Sequence, residues 1–402
     1  MMDEDVYLKK IITFRAWKRS LQFRIPQDLF SSHDVDLGTK FLLRTIVDAQ
    51  YEIPKKILDL GCGYGPLGLT LKSIFSDSIV HMVDRDALAV EYSLQNGLPN
   101  GLTDIDVYGG LGYDDSKMDD FDLIVSNIPG KAGESVISYL LKESVYHLAP
   151  GGVMAVVVVR PLQQAVETVL ESTPEIDVIQ RKTRSGHAVF HFRFGNKPQI
   201  PRSNQSALER GVYDRINSEF YLGDSRFPIR SAYGLAEFDT LSYLSEMVVK
   251  ALYGLPKPGV RRTVIFNPGQ GQVAVAVWKL FQPESIVLVD RDLLTLRYSK
   301  INLELNECPD ERICLSHQTG LSLADDDKAD LIVIRLREES RKANDMVIRQ
   351  ASETITREGK ILIGGSSTAI TRLISDLPSP RILRVRSRER RRGNSLLVLK
   401  PA

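Results

Sequence analysis

Cysteine and histidine are scarce in this chain, and their scarcity argues against several classes of site. The 402 residues include three cysteines, Cys62, Cys308 and Cys314, and six histidines. The cysteines form no paired framework and no C-x-x-C motif, which predicts a reducing compartment such as the cytoplasm. The histidines are scattered without metal-ligand spacing, so we expect no metal site.

Long apolar runs are also missing. No stretch approaches the roughly 18 apolar residues of a membrane span. The segment Met1 to Asp5 is acidic and lacks the apolar core of a signal peptide, so we expect no membrane association. An apolar content of 43% and a charged content of 26% are typical of a folded globular protein, and 402 residues suffice for two or three domains.

The net charge of +1 conceals an asymmetry between the two halves. Residues 1–200 carry 21 Lys and Arg against 26 Asp and Glu, whereas residues 201–402 carry 31 against 25. The basic excess concentrates near the end of the chain, at Arg381, Arg384, Arg386, Arg388, Arg390, Arg391 and Arg392. Such a cluster either neutralises nucleic-acid phosphates or forms a solvated hairpin.

The chain contains one pattern twice. The first copy is Val83-Asp84-Arg85-Asp86, Tyr92-Ser93 and Asn96, and the second is Val289-Asp290-Arg291-Asp292, Tyr298-Ser299 and Asn302. The offset is 206 residues throughout. Since solenoid units span roughly 20 to 50 residues, this offset predicts a duplicated domain.

Both halves have the same order of elements. Each has an extended aromatic-rich lead-in, a helix, an apolar strand ending in a glycine turn, alternating helices and strands, and a final hairpin marked by glycine. This order predicts two tandem Rossmann-like α/β domains, each with a mostly parallel sheet, a terminal antiparallel hairpin and helices on both faces. The predicted boundaries are residues 1–197 for the first domain, 198–206 for a linker and 207–402 for the second domain.

The most informative turn is Asp59-Leu60-Gly61-Cys62-Gly63-Tyr64-Gly65, where a strand gives way to a helix. Its glycines can adopt backbone angles that other residues avoid, and they let a ligand approach the main chain. Ligands of open α/β sheets bind at this edge, beyond the carboxyl ends of the strands. The series Gly63, Gly65 and Gly68 with Asp84 downstream also fits a dinucleotide fingerprint, so a nicotinamide enzyme is an alternative.

A second motif, Ser126-Asn127-Ile128-Pro129-Gly130-Lys131-Ala132-Gly133, follows a later strand and is expected to face the same crevice. A plain turn also uses Asn, Pro and Gly, but it does not account for the glycine turn upstream. A methyltransferase that acts on amino groups accounts for both motifs.

With these motifs, the first half resembles a class I S-adenosylmethionine-dependent methyltransferase over about residues 23–194. It is most similar to the methyltransferase small domain family, which contains the ribosomal RNA guanine-N2 methyltransferases. Further matching segments are Phe30-Ser31, Val35-Asp36-x-Gly38-Thr39-Lys40 and Leu148-x-Pro150-Gly151-Gly152. The resemblance implies S-adenosylmethionine as cofactor and N-methylation of an exocyclic amino group of a base in ribosomal RNA, with guanine N2 favoured.

The resemblance also implies site residues. Asp84 would accept hydrogen bonds from the cofactor ribose, while Asn127 and the main chain at Ile128, followed by Pro129, would accept them from the target amino group. Positioning then supplies most of the catalysis of an in-line displacement. The implied cofactor-binding residues are Asp36, Gly38, Thr39, Asp59, Gly61, Cys62, Gly63, Gly65, Asp84, Arg85 and Asn127.

Two positions depart from the family pattern. Ile128 stands where the family has its first proline, and Gly130 stands where a bulky or aromatic side chain is common. A base stacked on an aromatic ring gains about 1–3 kcal/mol, so Gly130 leaves open which substrate the enzyme takes. The alternatives are a methyltransferase for a protein amide or a small amine, and a cofactor-binding, RNA-binding pseudoenzyme.

The second half lacks the chemistry of the first. When the two glycine turns are aligned, Asn267 takes the place of Asp59 and Val273 takes the place of Gly65. The Asn127 motif is replaced in the second half by Arg335-Leu336-Arg337-Glu338. We therefore expect an inactive copy that serves as a substrate platform. The expected RNA contacts are Arg335, Arg337, Arg384, Arg386, Arg388 and Arg391. Packing of the two copies on each other would make a monomer sufficient.

Overall fold

The computed structural model describes residues 5–195, 202–222, 225–237, 240–256, 259–323, 328–337, 341–376 and 382–402. The chain forms two compact units, residues 8–213 and residues 214–402, and residues 5–7 belong to the latter unit. Of the predicted linker, residues 198–201 lie outside the described part, as do Glu338 and Arg381. The second unit begins at Asp214, whereas the predicted second domain begins at residue 207.

Residues 202–213 are held on the first unit by polar contacts. The Ala207 N–H donates to Asp114 Oδ1 at 2.8 Å, and Arg210 Nη2 forms an ion pair with Glu143 Oε2 at 3.0 Å. These contacts explain why the boundary between the two units lies a few residues after the boundary predicted from the prolines and polar residues of the linker. Composition identifies a segment without regular structure, but it does not show to which domain that segment binds.

The first unit is an α/β domain. Its strands are β1 Leu8–Ala16, β2 Arg19–Pro26, β3 Lys56–Leu60, β4 Ile79–Asp84, β5 Ile105–Gly109, β6 Phe121–Asn127, β7 Leu148–Val159, β8 Ile176–Arg184 and β9 His187–Phe194. Its helices are α1 Leu37–Asp48, α2 Pro66–Ile74, α3 Ala87–Gly97, α4 Glu134–Glu143 and α5 Gln163–Glu171. Asp36 and Asp86 cap the N-termini of α1 and α3, where each carboxylate accepts an N–H of the first turn.

Seven strands form one sheet in the order β5-β4-β3-β6-β7-β9-β8. Pairing is parallel from β5 to β7 and antiparallel at β9 and β8. The apolar run Ile57-Leu58 of β3 is buried on both faces, as expected for a central strand between helices. The chain order reverses between β3 and β6, and the carboxyl ends of β3, β4 and β6 are therefore neighbours at one edge.

The extended lead-in is a two-stranded antiparallel hairpin, β1 with β2. Two asparagines of α3 and the turn after it hold this hairpin through its main chain. Asn96 Oδ1 accepts the Arg24 N–H at 2.7 Å, and Asn100 Oδ1 accepts the Gln22 N–H at 2.8 Å. Asn96 Nδ2 also donates to the carbonyl of Tyr64 at 2.8 Å and thereby ties the hairpin to the glycine turn.

The second unit repeats this architecture. Its strands are β10 Asp214–Leu222, β11 Ser225–Ala232, β12 Arg262–Phe266, β13 Ser285–Asp290, β14 Ile313–His317, β15 Ala329–Arg335, β16 Ile355–Ser366, β17 Leu383–Arg391 and β18 Asn394–Pro401. Its helices are α6 Tyr243–Tyr253, α7 Gln272–Phe281, α8 Leu293–Leu305, α9 Arg341–Thr354 and α10 Ser367–Asp376. The sheet order is β14-β13-β12-β15-β16-β18-β17, again with an antiparallel end. The predicted fold, two tandem Rossmann-like domains, is confirmed.

The repeated residues make the same contacts in both units. Asn302 Oδ1 accepts the Arg230 N–H at 2.8 Å, as Asn96 accepts that of Arg24. Ser299 Oγ donates to the Gly269 carbonyl at 3.2 Å, as Ser93 Oγ donates to that of Gly63 at 2.8 Å. The Ser and Asn of the repeat therefore support the hairpin and the turn. In the described ranges, no helix has the length and apolar character needed to cross a membrane.

Candidate functional site

The glycine turn connects β3 to α2 and has an open surface. Gly61, Gly63 and Gly65 have φ values of +76°, +57° and +94°, which L-residues rarely adopt. A Cβ added at Gly61 or Gly63 would have no atom within 4 Å, whereas one at Gly65 would meet the Leu69 side chain at 2.7 Å. Gly61 and Gly63 thus leave room for a ligand against the main chain, and Gly65 is needed for packing.

Asp59 supports this turn from beneath. It is 1% exposed, and its Oδ2 accepts the Gly68 N–H at 2.8 Å, while Oδ1 has no hydrogen-bond partner within the described chain. Burial raises the pKa of Asp59 to about 7, against the lowering effect of the Gly68 N–H. Asp59 therefore supports the turn from within, and its side chain presents almost no surface to a ligand.

Asp84 lies at the end of the neighbouring strand β4. Its Oδ2 accepts the Gly63 N–H at 2.9 Å and its Oδ1 accepts the Asp86 N–H at 2.9 Å. The side chain is half-buried, which orients a carboxylate at the rim of the crevice beside the turn. Arg85 follows it and is also half-buried.

Cys62 contributes main chain to the turn and little else. It is 3% exposed, its Sγ lies 3.5 Å from Ser93 Oγ, and burial raises the pKa of its thiol well above the usual range. A thiol that stays protonated is a poor nucleophile. The Cys62 side chain therefore fills space in the turn.

Asn127 ends β6 and is oriented by the start of α1. Its Nδ2 donates to Asp36 Oδ2 and to Thr39 Oγ1, each at 3.0 Å. A carboxylate accepts only, so the amide nitrogen must face Asp36 and the amide oxygen must point away. Among the described residues, nothing donates to Asn127 Oδ1, which leaves it able to accept from a ligand.

The following residues add a main-chain acceptor. The Ile128 N–H donates to the Val157 carbonyl at 3.0 Å, and no described residue donates to the Ile128 carbonyl. The Ile128 side chain is 1% exposed, and Pro129 and Gly130 are exposed. A Cβ at Gly130 would meet only Val159 Cγ2, at 3.6 Å, so the position has room for a side chain that the sequence does not supply.

Gly38 allows close packing at this end of α1. A Cβ there would lie 2.7 Å from Asp36 Oδ2 and 2.9 Å from His187 Cδ2. His187 therefore lies beside the predicted site, and His191 lies under the same helix, where its Nε2 is 2.9 Å from Thr45 Oγ1. Burial lowers the pKa of His191 to about 4. Both histidines belong to strand β9 of the sheet.

Sequence reasoning gave no role to Tyr64. Its side chain is 2% exposed, its ring meets the Phe23 ring edge-on at 5.9 Å between centroids, and its hydroxyl donates to the Asp34 carbonyl at 3.3 Å. Tyr64 thus connects the glycine turn to the segment that carries Asp36. In the sequence, the sign of such a role is a large aromatic residue among the glycines of the turn.

The structure corrects the pairing of the two glycine turns. Gly269 and Gly271 have φ values of +67° and +90° and correspond to Gly63 and Gly65 at the offset of 206, while Asn267, with φ of +57°, takes the place of Gly61. Asp59 therefore corresponds to Ile265 and not to Asn267, and Gly65 does not correspond to Val273, which lies inside α7. The alignment of Asn267 with Asp59 was wrong. Asparagine can adopt the left-handed backbone conformation that glycine adopts, so Asn267 replaces a glycine of the turn.

The arginines of the second motif are half-buried and form ion pairs within the second unit. Arg337 Nη2 lies 2.5 Å from Asp290 Oδ1, and Arg335 forms an ion pair with Glu237. Both guanidinium groups therefore have carboxylate partners inside the second unit, and contact of Arg335 and Arg337 with RNA stays a prediction.

The terminal arginines divide into two groups. Arg388 donates to Thr371 Oγ1 at 2.7 Å, and Arg391 donates to Glu246 Oε2 at 3.0 Å. Arg384, Arg386 and Arg390 are exposed on the edge strand β17 and have no hydrogen-bond or ion-pair partner among the described residues. Charged side chains on an edge strand also prevent sheet-to-sheet association, so exposure by itself does not show RNA binding. Across the described ranges, no group of three His, Cys, Asp or Glu residues could hold a metal ion.

Comparison with known proteins places these features in one family. The methyltransferase small domain matches residues 20–185. The uncharacterized protein YbxB of Bacillus subtilis is 33% identical over 177 residues, which cover 43% of this chain and 87% of that protein. Ribosomal RNA large subunit methyltransferase G of Shewanella sediminis is 29% identical over 227 residues, which cover 49% of this chain and 54% of that protein. Ribosomal RNA small subunit methyltransferase C of Haemophilus influenzae is 33% identical over 133 residues, which cover 32% of this chain and 39% of that protein.

A solved structure of a related fold spans both units of the chain. The 16S rRNA N2 G1207 methyltransferase of T. thermophilus, in complex with AdoMet and guanosine, has a TM-score of 0.67 and covers 98% of both chains at 14% identity. At that identity the likeness shows a shared fold and no more. The chain spans about half the length, or less, of the curated ribosomal RNA methyltransferases that it matches.

Proposed function

The chain belongs to the methyltransferase small domain family of class I S-adenosylmethionine-dependent methyltransferases, and on that premise we propose that its first domain methylates an exocyclic amino group of a base in ribosomal RNA. Guanine N2 is the favoured target. The observation that carries the proposal is the amide of Asn127, whose nitrogen is engaged by Asp36 and Thr39 and whose oxygen is available.

The cofactor site is proposed at the glycine turn. Gly61 and Gly63 leave space over the main chain, and the Asp84 carboxylate lies beside them, at hydrogen-bonding distance from the Gly63 N–H. S-adenosylmethionine supplies an electrophilic methyl group on a positively charged sulfur. Asp36, Gly38 and Thr39 complete the cofactor side of the crevice through the start of α1.

The target amino group would be held by two acceptors. Its two N–H bonds donate to Asn127 Oδ1 and to the Ile128 carbonyl, which directs the nitrogen lone pair away from both. Holding the amino group in this geometry converts a bimolecular step into an effectively unimolecular one. In well-aligned systems this lowers the activation free energy by about 7–11 kcal/mol. The new bond from nitrogen to the methyl carbon would form as the bond from that carbon to sulfur breaks, with S-adenosylhomocysteine as the leaving group. The positively charged methylated nitrogen would then release its proton to water, so neither acceptor needs to remove a proton before the transfer.

The RNA partner is supported by charge and by the relatives. Arg384, Arg386 and Arg390 form an exposed basic edge of the second domain, and the curated relatives with assigned names act on ribosomal RNA. Guanine as the target base is supported by the guanosine present in the structurally similar enzyme.

Gly130 favours a second candidate, methylation of a protein amide or a small amine. The exposed glycine provides no ring on which a base could stack, and its surroundings would accept a side chain. An amide or amine substrate has no such requirement.

A single experiment separates these candidates. Binding of S-adenosylmethionine is measured by calorimetry for the wild type, Gly63→Arg and Gly101→Arg, and transfer of labelled methyl to total RNA and to protein is scored in parallel. Gly101 is a matched control, with φ of +63° and open space but in the segment between α3 and β5, away from the glycine turn. We expect loss of binding in Gly63→Arg alone and label in RNA. Label in protein favours a protein amide as substrate. Binding without label in either polymer favours a small amine or a pseudoenzyme, and absence of binding refutes the cofactor site.

A further inference from the structure

The crevice of the second domain is filled by side chains of its own chain. Arg335 ends β15, where β6 of the first domain ends in Asn127, and Arg337 stands where the first domain has Pro129. A short amide and a proline leave the first crevice open. Two long guanidinium side chains take their place in the second.

Arg337 binds the residue that corresponds to Asp84. Its Nη2 lies 2.5 Å from Asp290 Oδ1, and its Nε donates to Asn267 Oδ1 at 3.1 Å. The Asp290 side chain is 3% exposed. The carboxylate at the position of the proposed ribose ligand is therefore already bound by a cation in the second domain.

Arg335 covers the second glycine turn. A Cβ at Gly269 would lie 2.6 Å from Arg335 Nη1, whereas a Cβ at the equivalent Gly63 meets nothing within 4 Å. The same guanidinium pairs with Glu237, whose side chain is 8% exposed and accepts a hydrogen bond from Ser245 Oγ at 2.7 Å. The space above Gly269 thus holds an arginine of the chain itself.

We propose that Arg335 and Arg337 are internal ligands that take the place of the cofactor in the second domain. This domain is then folded without cofactor, and the chain binds one S-adenosylmethionine, in the first domain. An incoming cofactor would have to displace two guanidinium groups from nearly buried carboxylates, and an unpaired buried charge is strongly unfavourable. The role of both arginines is to hold this domain together.

The arginine contacts are tested by thermal unfolding of the full chain. Arg337→Met keeps an unbranched side chain similar to the aliphatic part of arginine but removes the guanidinium that pairs with Asp290. We expect the unfolding midpoint of the second domain to fall by about 6 °C or more. Adding Asp290→Asn to Arg337→Met removes the unpaired charge and should recover part of the loss. Arg384→Met, on the exposed edge strand, is the control and should leave the midpoint unchanged.

The stoichiometry is tested with S-adenosylhomocysteine as probe, which avoids turnover. We expect one molecule per chain in the wild type and none in Gly63→Arg. The proposal would be overturned if the wild type bound two molecules of S-adenosylhomocysteine per chain and Gly63→Arg still bound one. It would also be overturned if Arg337→Met kept its unfolding midpoint but lost affinity for RNA. A wild type that binds none would refute the proposed function of the first domain, and the unfolding comparison would still decide the role of the arginines.

Discussion

Asn127 Nδ2 donates a hydrogen bond of 3.0 Å to Asp36 Oδ2, across 91 residues of sequence. The carboxylate comes from the N-cap of α1 and the amide from the end of β6, so two elements that are distant in the chain determine which way the amide points. The Thr39 hydroxyl accepts the second amide hydrogen. The oxygen of Asn127 is thereby directed at the ligand side before any substrate binds.

This relationship predicts the effects of two substitutions. Asn127→Ala removes the acceptor, and we expect kcat for methyl transfer to fall about 100-fold with little change in S-adenosylmethionine affinity. Asp36→Ala lets the amide rotate and should lower kcat about 10-fold. Because Asp36→Ala also removes a helix cap worth about 1 kcal/mol, Ser242→Ala, which uncaps α6, serves as control and should leave kcat intact. Equal losses in Asp36→Ala and Ser242→Ala would refute the orienting role.

Gly130 predicts a gain of substrate affinity. Gly130→Tyr places a ring where a Cβ would meet only Val159 at 3.6 Å, and stacking on a base contributes about 1–3 kcal/mol. KM for an RNA substrate should therefore fall by about tenfold in steady-state assays, with kcat little changed. A rise in KM would show that no base lies against this position.

Asp59 predicts a pH dependence of stability. Its pKa in the folded chain is about 7, against 3.8 as the usual value, so the folded state holds a proton that the unfolded state releases. The contribution of Asp59 to stability is then largest below pH 4 and decreases as the pH rises through 7, by up to about 1.4 kcal/mol per unit. Asp59→Asn should remove this slope in urea unfolding, relative to Asp48→Asn, an exposed control. Identical slopes in both variants would contradict the assignment.

The cysteines predict a simple labelling pattern. Cys62 and Cys308 are buried, and burial raises the pKa of both thiols, whereas Cys314 is exposed. Native protein should therefore react rapidly with about one equivalent of a thiol reagent, and Cys314→Ser should abolish that phase. Fast labelling of Cys62 would mean that the turn opens in solution.

The basic edge predicts a salt dependence. Replacing Arg384, Arg386 and Arg390 together by alanine should flatten the slope of log K against log salt for RNA binding, by about 0.7–0.9 for each phosphate that these side chains neutralise in the wild type. Glu389→Gln on the same strand changes the charge in the opposite direction and should tighten binding. An unchanged slope in the triple variant would show that these three arginines of β17 neutralise no RNA phosphates.

Sequence alone was sufficient where the determinant is local. The glycine turn, the strand before it and the helix after it follow from the order of apolar residues and glycines, and the confirmed doubly repeated α/β fold follows from that order occurring twice. The repeated Ser93 and Asn96 marked positions that both domains use to support the turn. These features depend on backbone conformation and periodicity, which neighbouring residues set.

The tertiary structure decided which side chains meet. The pairing of Asn127 with Asp36 and the filling of the second crevice by Arg335 and Arg337 join elements far apart in the chain. An arginine in a sequence has the same charge whether it faces RNA or a buried carboxylate, and only packing distinguishes the two. Sequence therefore determined the turns and the order of elements, whereas the convergence of strand ends at one edge decided the chemistry of each crevice, because that convergence brings distant residues within hydrogen-bonding distance.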